Sequence, residues 1–132
     1  MRSIIAVILL CATSFAYTQH YISHQADINF GESFRHGDIR IEFLKILSDS
    51  RCPKSVTCIR AGEAEVLVAV YKGKRRIGKK KLIFDASGVV TEQKNLLFSN
   101  DEVRIMGMGL FPYPEYPEKI ADEAYTLEIK IN

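Results

Sequence analysis

From Ala64 to Tyr71 the chain alternates without interruption, with Ala64, Val66, Val68 and Val70 in one phase and Glu65, Leu67, Ala69 and Tyr71 in the other. A period of two sustained over such a run predicts a β-strand with one face in a core. Lys72-Gly73-Lys74 then supplies a tight turn, and Ile77 to Phe84 reads as the return strand of a hairpin. Upstream, Ile39-Arg40-Ile41-Glu42-Phe43 alternates in the same way; its apolar phase slips at Leu44 and resumes at Ile46, which suggests a bulge or a strand end. Downstream, Asp85-Ala86-Ser87-Gly88 is a turn, Val89 to Phe98 is ambiguous, and Asn100-Asp101 turns the chain into Val103-Arg104-Ile105. At the C-terminal end Tyr125, Leu127, Ile129 and Ile131 alternate with Thr126, Glu128 and Lys130.

Beyond the first sixteen residues no window long enough for a surface helix carries an apolar stripe of helical period, and Ile120 to Tyr125 suffices for one turn at most. Short strands with turn signals about every ten residues predict an all-β fold, either an antiparallel β-sandwich (immunoglobulin-like or related) or a small barrel. There is no internal repeat, low-complexity tract or linker. Residues 30–132 are therefore expected to form a single β domain, preceded by a polar, loosely ordered segment at 17–29.

The first sixteen residues change the expected compartment. Arg2, an apolar run from Ile4 to Ala12 and the triplet Ser14-Phe15-Ala16 read as a signal peptide cleaved near Ala16, so the protein is expected to be exported, periplasmic or extracellular. The apolar run falls well short of the roughly 20 residues a membrane span needs. Cys11 follows Leu10, where a lipid-attachment signal wants a small residue.

Export decides how the cysteines are read. The mature chain keeps Cys52 and Cys58, and an even pair in an oxidising compartment is expected as a disulfide closing one short loop. A structural zinc site wants four ligands, and neither a second cysteine pair nor a nearby histidine supplies them. A thioredoxin-type redox site wants two intervening residues at a helix start, whereas here five lie in a polar loop. Pro53 fixes its own φ and biases Cys52 towards extended geometry, and Gly62 permits a bulge or positive φ where loop becomes strand. Asp49 can cap the turn, and Arg51 can fork onto Asp49 or Glu63, either as a recognition site or, as we favour, as the loop's own hydrogen-bond network.

The run Asp49-Ser50-Arg51-Cys52-Pro53, followed by Val56, Cys58, Ala61-Gly62 and Ala64, resembles a group of bacterial secreted or periplasmic proteins with DSRCP-x-x-V-x-C-[IVW]-x-AG-x-A near their middle. They tend to share a late L-x-PYP, here Leu110-Phe111-Pro112-Tyr113-Pro114, and a final alternating strand. The resemblance spans the chain from about Ile39 onward and implies an exported β domain, with no activity attached. Many of these proteins carry Trp near the position of Arg60, so a surface aromatic is exchanged here for a charge.

Overall charge is nearly balanced, 18 basic against 16 acidic residues, yet Lys72, Lys74, Arg75, Arg76, Lys79, Lys80 and Lys81 crowd into ten residues with no acid among them. Such a hairpin suits an anionic polysaccharide, a membrane surface or an envelope protein. Interleaved aromatics are missing, which argues against specific nucleic-acid recognition. The expected function is accordingly an exported, non-catalytic module binding through this basic hairpin. Arg51, Arg60, Phe111, Tyr113 and Tyr116 are further candidate contacts, the last three from a segment with three prolines in six residues. No catalytic motif occurs and no cofactor is implied. One alternative is a periplasmic copper-handling protein using His20, His24, Met106 and Met108, whose imidazole and thioether ligands suit copper. A weaker alternative is a small enzyme inhibitor presenting Leu110 to Pro117.

Overall fold

The structure, a computed structural model, describes residues 22–132. The expected signal peptide, Cys11 and His20 lie outside the described residues. Among the described residues eight strands form two four-stranded sheets. The first has the order β1 (His24–Asn29), β8 (Thr126–Ile131), β7 (Arg104–Phe111), β6 (Leu96–Ser99). The second runs β2 (Ser33–His36), β3 (Ile39–Asp49), β4 (Glu63–Lys72), β5 (Arg75–Asp85). Every pairing is antiparallel. Of the architectures the sequence allowed, the chain adopts the antiparallel sandwich.

The alternation becomes the core directly. Ile39, Ile41 and Phe43 of β3, the even-numbered residues Ala64 to Val70 of β4, and Leu82 and Phe84 of β5 face Ile105 and Leu110 of β7 and Leu127, Ile129 and Ile131 of β8; all are buried. Side chains of about this size stabilise by roughly 1.5–3 kcal/mol each when fully buried. Phe30 packs edge-on against Phe43 with ring centres 5.6 Å apart. Gly107 brings β7 close to β5, since a Cβ there would stand 2.8 Å from Leu82 Cδ1 and 3.1 Å from Phe84 Cζ.

Two expectations need adjusting. Residues 24–29, expected to be loosely ordered, form β1 and pair with the whole of β8, from His24 opposite Ile131 to Asn29 opposite Thr126. Their polar composition reflects an edge strand that buries only Ile28 fully. The ambiguous stretch after Val89 divides into a one-turn helix, α1 (Glu92–Asn95), and β6. Asn95 is wholly buried and donates Nδ2–H to the Ile83 carbonyl at 2.9 Å, so α1 occupies part of the free edge of β5. The slip at Leu44 proves to be a bulge, with register shifts between Phe43 and Lys45 and between Ile46 and Ser48, after which β3 continues to Asp49.

Candidate functional site

Asp49 closes β3 and Glu63 opens β4, and the loop between them is stapled by a Cys52–Cys58 disulfide with Cα atoms 5.9 Å apart. Across the loop's base the Ser50 N–H donates to the Glu63 carbonyl (2.9 Å) and the Cys52 N–H to the Ala61 carbonyl (2.8 Å). Gly62 has φ +72°, and a Cβ there would stand 1.8 Å from the Ser50 carbonyl oxygen. The sequence placed a conformationally free residue at this position, and the structure shows that close backbone approach as well as φ demands it.

Arg51 turns inward and is 6% exposed. Its guanidinium forks onto Asp49, with Nε to Oδ1 at 2.8 Å and Nη2 to Oδ2 at 2.7 Å, and not onto Glu63. The remaining donors reach the carbonyls of Leu110 (Nη1, 2.8 Å) and Pro112 (Nη2, 3.2 Å). The Tyr125 hydroxyl donates to Asp49 Oδ2 at 2.8 Å, and the Tyr113 hydroxyl donates to the Cys52 carbonyl at 2.7 Å, its ring 5.0 Å from the Arg51 guanidinium carbon. The central motif and the late PYP segment thus hold each other. Burial pushes the Asp49 carboxyl up, but hydrogen bonds from Arg51 and Tyr125 and the guanidinium charge outweigh it and hold it below the usual carboxylate range. Burial, and then the Asp49 carboxylate beside it, push the Tyr125 phenol well above its ordinary value.

This network floors a half-open cleft of about 500 Å³, walled in part by Ile46, Leu47, Tyr116 and Ile120. Chemically the floor is saturated: Arg51, Asp49 and Tyr125 satisfy one another, which makes Arg51 part of the loop's internal bonding. Tyr113 is likewise occupied. Tyr116 and Phe111 remain well exposed, at 67% and 49%, as do Arg60 and its neighbour Ile59, which no other side chain covers.

The basic run lies on β5 and its turn, and all seven of its charged residues are exposed. Strand geometry divides them. Arg76, Lys79 and Lys81 pair with Tyr71, Ala69 and Leu67 and so share the outer face of the second sheet. Lys80 pairs with Val68, whose side chain is in the core, and its Nζ lies 3.5 Å from the Leu96 carbonyl across the open side of the sandwich. Lys72, Lys74 and Arg75 surround the turn, where Gly73 has φ +60°. Lys81 meets Glu65 at 3.2 Å; among the described residues the other six form no ion pair.

Arg35, Arg40 and Lys45 were missed by the sequence reading. They stand on the same outer face, because Arg35 pairs with Arg40, Arg40 with Tyr71, and Lys45 with Leu67. The alternation of β3 already placed Arg40 outward; only strand order puts it beside the hairpin.

Of the candidate copper ligands, the three that lie among the described residues, His24, Met106 and Met108, are not gathered. His24 pairs with Ile131, which pairs in turn with Ile105, on the core side of the first sheet; Met106 pairs with Lys130 on the opposite side, and Met108 sits in the bulge between Gly107 and Gly109. Among the described residues no three His, Cys, Asp or Glu side chains cluster as metal ligands. No protein-family model matches the chain, and neither a curated protein nor a solved structure is significantly similar to it.

Proposed function

We propose that this is an exported, non-catalytic binding module that engages an anionic ligand through the basic β4–β5 hairpin. The observation that carries the reading is the display of the seven hairpin charges, all exposed, six of them without an ion-pair partner among the described residues. A short turn and ladder pairing along the whole of β5 hold these charges in place, so little backbone entropy is lost on binding. The non-catalytic part is supported by the saturated cleft floor. The carboxyl of Asp49 is held low and the phenol of Tyr125 high, so both are displaced away from the neutral range in which a general acid or base works.

The test is salt-dependent binding. The protein should bind immobilised polyanion at low ionic strength and release it as salt rises, since exposed charges are screened beyond about 8 Å near physiological ionic strength. Replacing Lys79, Lys80 and Lys81 together with Ser should remove most of that binding. Thermal stability should change by no more than about 0.5 kcal/mol, as for other exposed positions. Wild-type protein that ignores every polyanion at low salt defeats the reading.

A second reading rests on a separate observation, the exposure of Ile59, Tyr116 and Phe111 at the stapled end of the sandwich. Rigid loops carrying uncovered apolar side chains suit insertion into a pocket of a protein such as a hydrolase. Titration against a panel of proteases, with Ile59→Ser as control, tests it; inhibition unaffected by that change would remove the loop from consideration.

A further inference from the structure

Strand register assembles a feature that no local stretch of sequence contains. Arg35 lies opposite Arg40, Arg40 opposite Tyr71, and Tyr71 opposite Arg76, so one row crosses all four strands of the second sheet on its outer face. With neighbouring strands about 4.8 Å apart, the row is about 14 Å long. The Arg40 guanidinium lies 3.9 Å from the centre of the Tyr71 ring and is steadied by Glu42 at 3.3 Å. Arg35 and Arg76, at the two ends, are exposed and have no ion-pair partner among the described residues. Two arginines directly opposite on a ladder are destabilising by themselves. A bound anion between them reverses the sign of that interaction.

We propose that this row is a binding track for a linear anionic polysaccharide lying across the strands, its sulfate or carboxylate groups forked by Arg35, Arg40 and Arg76. The inference rests on the polyanion reading above and adds to it both the residues of β2 and β3 and the class of ligand. Three features select this occupant. Guanidinium forks match the paired oxygens of sulfate and carboxylate, which a lysine cluster alone would treat as point charges. Glu42, already paired with Arg40, stands in the flanking row, and Glu65 three rows away on the same face. A chain one residue wide along the row therefore meets one neutralised carboxylate, whereas a flat anionic membrane would press on both. The single aromatic in the row already carries Arg40 on its ring, so it offers no stacking platform of the kind that single-stranded nucleic acid uses. Lys79 and Lys81, in the next two rows along β5, add positive potential along one flank.

Binding should be measured by calorimetry with chondroitin sulfate oligosaccharides of increasing length. Parallel arms use phosphatidylcholine–phosphatidylglycerol vesicles and a single-stranded oligonucleotide. Affinity should rise with oligosaccharide length until the row is spanned and exceed that for either other probe. Arg35→Ser and Arg76→Ser should each weaken it about threefold, the order an exposed charge pair supplies, and the double change about tenfold. Lys130→Ser, on the outer face of the other sheet, should leave it unchanged. If the Lys79/Lys80/Lys81 variant loses binding while the Arg35/Arg76 variant keeps it, the track is overturned and the hairpin reading stands. If vesicles or the oligonucleotide bind more tightly than the glycan, a polysaccharide is the wrong occupant. If no probe binds, both readings fall.

Discussion

Two glycines show how far a residue's neighbours decide its worth. At Gly62 a Cβ would collide with a backbone carbonyl oxygen at 1.8 Å, in a backbone conformation with φ +72°. At Gly107 the nearest atoms are the ends of the Leu82 and Phe84 side chains, at 2.8 and 3.1 Å, and φ is unexceptional. Gly62→Ala should therefore cost at least about 3 kcal/mol, combining left-handed strain with displaced backbone. Gly107→Ala should cost about 1–2 kcal/mol, because side-chain ends can give way. Denaturant melts of both variants check the order; a milder effect at Gly62 would contradict the close approach. The Asp49–Arg51 pair gives a second test at this scale, with side chains 8% and 4% exposed. Arg51→Ala strands a buried carboxylate and the Leu110 carbonyl, and should cost roughly 3–5 kcal/mol. The double change Asp49→Ala/Arg51→Ala should cost less than the sum of the two singles, since it leaves no uncompensated charge.

Among the elements, the stapled loop and the basic hairpin both stand between β3, β4 and β5, yet only the hairpin is held by ladder pairing throughout. The loop depends on its disulfide, on Tyr113 and on Arg51. Replacing Cys52 and Cys58 with Ser should lower stability by about 2 kcal/mol, the closure entropy of so short a ring, or a fall in Tm of roughly 10 °C. Mass spectrometry of the wild-type protein should show the same two cysteines joined and two hydrogens missing. The hairpin was legible in the sequence because a turn glycine separates two runs with strand spacing. The short α1 was not, since four residues carry no period and the partner of buried Asn95, the Ile83 carbonyl on the edge of β5, is supplied from another element. Residues 24–29 escaped for a related reason: an edge strand covered on one side needs few apolar positions, and its partner β8 lies about a hundred residues away.

For the whole molecule, the Asp49–Tyr125 contact sets a pH window. A carboxyl held below its ordinary value of about 3.9 stabilises the fold above that pH, and the contribution is lost as pH falls through the lowered value. A phenol held above its ordinary value of about 10 stabilises the fold below that pH, and the contribution is lost as pH climbs from there towards the raised value. Stability should thus show a plateau between about pH 5 and 9, with an acid-side fall that is shallower in Asp49→Asn and an alkaline fall that is shallower in Tyr125→Phe. Thermal melts extended below and above that plateau check both limbs; unchanged slopes in the variants would place the responsible groups elsewhere. What the sequence determined alone is whatever depends on neighbours a few residues apart: strand periodicity, the turns at Gly73 and Gly88, the staple and the local density of charge. The tertiary structure decided which faces those residues share. Alternation splits a run of lysines between two sides of a strand, register aligns three arginines from three different strands, and burial turns Arg51 from a possible contact into an anchor. Strand order and register arise from packing two sheets together, and no short window of sequence carries that information.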